Sequence, residues 1–146
     1  MNLKAHCNDL YCSYEKLTHK KLFIIDNTNS LDRLLNELKY PIASHSLEDV
    51  HLFNYANEAM LNLFKMPRDE FIGLPSHQSA NEINRKERES LLAQVRKTGI
   101  VENYQGSRVK KNGDTFLIKK ATVWNVSNND GQVHSQAVII FDWQDY

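Results

Sequence analysis

Val101-Glu102-Asn103-Tyr104-Gln105-Gly106-Ser107-Arg108-Val109-Lys110, Asp114–Val126 and Gln132–Trp143 are three strand-like runs in the C-terminal third of the chain. Two short glycine turns separate them, Lys111-Asn112-Gly113 and Asn128-Asn129-Asp130-Gly131. Asn-Gly and Asp-Gly supply the positive φ that tight hairpin turns require, so the stretch predicts a three-strand antiparallel meander. A sheet of this kind, preceded by several small helices, is a binding architecture more often than a catalytic one.

Upstream of the meander lies the best-defined helix. Asn84 and Glu87 resemble a capping box, Arg88, Leu91, Leu92 and Val95 share a face, and Gly99 closes it. Before it, Asn57 is placed to cap a short helix carrying Ala59, Met60, Leu63 and Phe64, and Pro67 opens another that Gly73 ends. Ile42–Ser46 and His51–Tyr55 read as strands across a polar loop. Ser30 caps a helix with Leu31, Leu34, Leu35 and Leu38 on one side, and Pro41 stops it. Leu22–Ile25 fits strand or helix. At the N-terminus, Leu3, Cys7, Leu10, Tyr14 and Leu17 recur at spacings that make one face of an amphipathic helix.

With 146 residues the chain is long enough for one domain with a real core. Its 18 basic and 18 acidic residues cancel, which gives no global electrostatic footprint for nucleic acid or an anionic membrane. The first residues lack the apolar core of a signal peptide, and no apolar run reaches membrane-spanning length. Cys7 and Cys12 have no matching Cys/His pair, so zinc is not expected, and a cytoplasmic location with reduced thiols is. Nucleophile elbows, phosphate-binding glycine loops and H-E-x-x-H are missing, so no enzyme is expected.

The order strand, strand, short helices, longer helix and meander resembles the PAS domain, and the local wording does too. Phe53-Asn54-Tyr55-Ala56-Asn57-Glu58-Ala59 looks like the second PAS strand turning into its first helix, and Met66–Gly73 like the short helix before a glycine. The closer likeness is to the PAS-related MEKHLA domain in its bacterial stand-alone form. Asn54-Tyr55-Ala56-Asn57, Leu74-Pro75-Ser76, Ala80-Asn81-Glu82, Arg88, Tyr104-Gln105-Gly106-Ser107-Arg108, Ala121-Thr122-Val123-Trp124-Asn125 and Gly131-Gln132-Val133-His134 carry it. Tyr14-Glu15-Lys16-Leu17-Thr18 looks like the bacterial leading helix, and Ser135 stands where glycine is expected. The resemblance implies an α+β fold: a PAS-like five-stranded antiparallel sheet with helices on one face, plus an N-terminal amphipathic helix. Residues 1–39 are then a helical extension and 40–146 the PAS-like domain.

Candidate ligand-binding residues follow. Ser76, His77 and Gln78 sit in a polar loop that a PAS-like fold places at the mouth of a central cavity, although such side chains also cap helix ends. Tyr104 and Arg108 share a strand face, and an arginine beside an aromatic ring can clamp a carboxylate. Arg88 lies on the apolar side of its helix, and two arginines toward one interior favour a small polar or anionic ligand. The competing arrangement pairs either arginine with Glu82 or Glu87. Trp124 shares strand parity with Phe116, Ile118 and Thr122, and Gln136 with Val138 and Ile140. In flavin-binding PAS relatives a glutamine on the last strand reads the flavin ring. A covalent flavin would need a cysteine in Asn57–Gly99 and haem a histidine in Asn84–Thr98; neither is there, so no cofactor is expected and the protein should be colourless.

The resulting expectation is a stand-alone sensory module that binds a small molecule between helices and sheet and signals through an unidentified partner or a homodimer. The alternative is an interaction module whose cavity is filled by side chains. The N-terminal stripe, lying ahead of a domain complete without it, is expected to form the dimer.

Overall fold

The computed structural model describes residues 2–80 and 82–146, without the side chains of 82 and 83. Asn81 and the Glu82 side chain, both named above, therefore lie outside the described residues. Helix α1 (Leu3–Thr18) is capped by Asn2, whose side-chain oxygen accepts from the Ala5 N–H at 3.1 Å. Helix α2 (Leu31–Glu37) follows an irregular segment that includes Leu22–Ile25. Strands β1 (Ile42–Ser46) and β2 (Phe53–Ala56) lead into α3 (Glu58–Phe64), α4 (Arg68–Phe71), a single 3₁₀ turn (Ser76–Ser79) and α5 (Glu82–Thr98). The meander is β3 (Ile100–Val109), β4 (Thr115–Ser127) and β5 (Val133–Asp145). Gly113 and Gly131 have φ of +89° and +81° in its two turns, as Asn-Gly and Asp-Gly demand. Helix α5 starts two residues before Asn84, so Asn84 lies within the first turn rather than at its cap.

The five strands form one antiparallel sheet in the order β2-β1-β5-β4-β3. Helices α3, α4 and α5 cover one face, where Met60, Phe71 and Leu91 form one core with Phe53 and Ile118 of the sheet. The other face carries a second core of Cys7, Leu10 and Tyr14 from α1 and Leu35 from α2, packed on Trp124 and Ile139. Cys7, Leu10 and Tyr14 of the N-terminal stripe are thus buried on their own sheet while Leu3 at its start stays half exposed, which corrects the expectation that a second copy is needed to cover the stripe. Trp124 donates its indole N–H to Ser13 Oγ at 3.0 Å. Asp9 Oδ2 meets His134 Nε2 at 2.8 Å, and His134 Nδ1 meets Ser135 Oγ at 2.9 Å. This carboxylate–imidazole–hydroxyl chain ties α1 to β5. Ser135 is fully buried beneath the helix, so the hydroxyl is sealed away from any substrate.

Strand parity is broken by a bulge around Lys119 and Lys120 in β4, opposite Phe141 and Asp142 in β5. Phe116 and Ile118 face the α5 side, and beyond the irregularity Ala121 and Val123 take that side. Trp124 and Val126 are turned to the α1 side. The irregularity takes in both strands, leaves their register unchanged beyond it and reverses every later side chain, because the strand period is two.

Asn57 joins the layers. Its Oδ1 caps α3 by accepting from the Met60 N–H at 3.0 Å and also accepts from the Ile42 N–H at 2.9 Å. Its amide donates to the carbonyls of Leu35, Leu38 and Tyr40, the closest at 2.9 Å. At the β3–β4 turn, Lys110 meets Asp145 at 2.6 Å and Lys111 pairs with Glu70.

Candidate functional site

A cavity of about 60 Å³ lies between α5, α3 and the sheet. Met60, Phe71, Leu91, Ile118 and Ile140 supply apolar walls. Arg88, Tyr104, Arg108, Gln136, His45 and Ser79 bring polar groups to it. At about 10–15 Å³ per water-sized sphere, the space holds roughly four to six non-hydrogen atoms. That is far below the 300–1,000 Å³ or so of pockets for drug-sized ligands.

Two guanidinium groups enter this space. Arg88 is 6 % exposed and Arg108 8 % exposed. Helical spacing from Leu91, Leu92 and Val95 brings Arg88 to the sheet side of α5, and Nη2 donates to Ser76 Oγ at 2.6 Å. Arg108 donates from Nη1 to the Ser107 carbonyl at 2.7 Å and from Nη2 to the Tyr104 hydroxyl at 3.0 Å. The Tyr104 hydroxyl in turn donates to Glu87 Oε2 at 3.0 Å. Glu87 therefore reaches Arg108 only through a hydroxyl, and neither arginine forms an ion pair among the described residues. Burial, and then the Arg108 charge, hold the Arg88 guanidinium at about 10, well below its ordinary value. Two buried like charges, with Glu87 and Glu89 near but not ion-paired to them, are a costly arrangement unless something anionic joins it.

Gly106 makes the arginine–tyrosine pair possible. A methyl group there would collide with the Tyr104 hydroxyl, which folds back over the strand beside Arg108. The spacing Tyr104-x-Gly106-x-Arg108 is thus one unit: the glycine clears the space in which ring and guanidinium meet.

Gln136 is 2 % exposed; its amide donates to the Leu92 carbonyl and to Asn125 Oδ1, each at 3.2 Å. Its Oε1 has no partner among the described residues, and neither does His45 Nε2. His45 was not singled out from the sequence. The available signal was alternation in β1, where Ala43 and His45 share a face, but its place depends on the β1–β5 register, which pairs His45 with Gln136.

The other candidates are placed differently. Ser76 is buried and touches the site through Arg88. His77 is exposed and lines an outer cleft of about 380 Å³ with His51, Arg88 and Arg96. Gln78 is exposed on the 3₁₀ turn. The turn's tight pitch aims Ser76 and Ser79 inward and the two residues between them outward. Trp124 lies on the far side of the sheet, beneath α1, because of the β4 bulge.

Among the described residues no group of His, Cys, Asp and Glu is arranged to hold a metal ion. No described helix is long and apolar enough to cross a membrane.

The architecture is that of a PAS domain. The PAS domain of a protein from Colwellia psychrerythraea matches with a TM-score of 0.65 at 14% identity, over 78% of this chain and 92% of that one. An RNA-binding light-oxygen-voltage receptor matches with a TM-score of 0.67 at 16% identity, over 84% of this chain but only 36% of the receptor. The photo-excited blue-light photoreceptor Vivid matches with a TM-score of 0.61 at 12% identity, over 89% and 91%. No curated protein matches by sequence. Within this class the chain belongs to the MEKHLA domain family, whose model matches residues 4–145 and so takes in α1 as well as the sheet.

Proposed function

We propose that this domain is a sensory module that binds a small anion in the cavity between α5 and the sheet and passes occupancy to a partner protein or to its own assembly. The observation that carries the proposal is the pair of buried guanidinium groups, Arg88 and Arg108, facing one cavity with no ion-paired carboxylate among the described residues. A carboxylate between them would accept charge-assisted hydrogen bonds from both, worth about 1.5–3 kcal/mol each. The PAS-type fold supports sensing, since the structurally similar proteins include a light-oxygen-voltage receptor and a blue-light photoreceptor. A cavity of about 60 Å³ favours a compact ligand over a flavin-sized one.

The interaction-module reading draws on the same small volume, with apolar side chains occupying most of the interior. Denaturing mass spectrometry of the purified protein separates the two. A stoichiometric small anion released on unfolding supports sensing. A protein that releases nothing, and whose melting temperature no small carboxylate raises, supports the interaction module.

A further inference from the structure

The anion reading uses only the cationic side of the cavity. The opposite side carries two unpaired groups of one chemical kind. Gln136 Oε1 is an acceptor whose orientation is fixed: the amide nitrogen must face the Leu92 carbonyl, and flipping the side chain would set two acceptors against each other. His45 is 6 % exposed, and its Nδ1 lies 2.9 Å from the Ser46 carbonyl. A carbonyl only accepts, so Nδ1 carries the proton and Nε2 presents a lone pair. Burial, outweighing the Ser46 carbonyl and aided by Arg88 and His51, holds this imidazole at about 4, so it is neutral at pH 7. His45 and Gln136 are direct register partners across β1 and β5. Such partners share a face with Cβ atoms about 4.5–5.5 Å apart. Both line the cavity that Arg88 and Arg108 enter.

A bare anion fits one end of this site and leaves the other unsatisfied. Leaving a buried acceptor without a donor costs free energy, and buried polar groups in proteins are almost always paired. We infer that the ligand carries a hydrogen-bond donor in addition to its anionic group, as a small hydroxy acid or amino acid does, and that His45 and Gln136 read that donor. This rests on the anion reading. An ammonium can donate to both His45 Nε2 and Gln136 Oε1, and a hydroxyl to one of them, while the carboxylate meets Arg88 and Arg108. The space, roughly four to six non-hydrogen atoms, limits the ligand to the smallest members of the class.

Glycine, glycolate and propionate form the test set. They have the same number of non-hydrogen atoms and the same carboxylate, and differ only in an ammonium, hydroxyl or methyl group at the far end. Isothermal titration of the full chain with each probe should show glycine or glycolate binding at least about tenfold more tightly than propionate. In His45→Phe and, separately, Gln136→Met, that preference should shrink while propionate affinity holds, with circular dichroism confirming the fold. If one variant does not fold, the other and the wild-type preference decide. Equal affinity for all three probes, or an undiminished preference in a folded variant, overturns the donor-reading pair and leaves the anion reading standing. Failure of all three to bind the folded wild type removes both, and assigns the two acceptors to buried water.

Discussion

Replacing Arg88 with methionine should leave the unliganded protein as stable as the wild type or make it more stable. At neutral pH the guanidinium is charged in both the folded and unfolded chain, so the whole cost of burying it falls on the folded state. Burial and the Arg108 charge hold it at about 10, against about 12.5 ordinarily. At about 1.4 kcal/mol per pH decade this amounts to roughly 3 kcal/mol. Methionine fills similar space without the charge but forfeits the bond to Ser76 Oγ, which returns about 1.5–3 kcal/mol. The net is a gain of roughly 0–2 kcal/mol for the variant, or a melting temperature unchanged to several degrees higher. Thermal unfolding followed by circular dichroism in an anion-free buffer measures it. An arginine already compensated inside the protein behaves oppositely, because removing one partner of a buried pair costs about 3–5 kcal/mol. A fall in melting temperature of several degrees would therefore refute the claim that Arg88 waits for an external counter-charge.

Asn57→Ala removes a helix cap and leaves a buried N–H and several carbonyls unpaired, so it should cost about 2–4 kcal/mol in denaturant unfolding, with the cavity residues untouched. Burial holds His6 and His45 at about 4, whereas an unfolded imidazole titrates near 6.5, so the unfolded chain binds protons that the folded chain refuses. Stability should then be full above pH 6.5 and fall as the pH drops to about 4, and His6→Gln should flatten part of that slope in urea titrations across the range. Deleting residues 1–20 uncovers Trp124, Tyr55 and Ile139 and should abolish cooperative unfolding; a truncated chain that still melts cooperatively would show that the α1 core is dispensable.

Much of this was legible in the sequence where local chemistry decides. The glycine turns fixed the meander, Asn57 was readable as a cap, and the spacing of Tyr104, Gly106 and Arg108 placed a ring and a guanidinium on one face. Helical periodicity likewise turned Arg88 inward. What could not be read depended on contacts distant in sequence or on a local break in strand alternation. Trp124 was assigned by parity to the face of Phe116 and Ile118, and the bulge at Lys119 and Lys120 reverses it. The stripe of α1 shows that an apolar face must be covered but not by what, and its own sheet covers it. His77 and Gln78 share a polar loop with Ser76, yet the 3₁₀ turn sends them outward. His45 became visible only through its register with Gln136.

The most direct test of an anion between Arg88 and Arg108 is a nuclear magnetic resonance titration of arginine-labelled protein with glycolate. The Nε–Hε signals of these two side chains should move together and saturate, while those of the exposed pair Arg33 and Arg96 stay put, and Arg108→Met should abolish the response with the fold retained. Saturable shifts confined to exposed arginines, or none at the two buried ones while the protein remains folded, would contradict an anion site in this cavity.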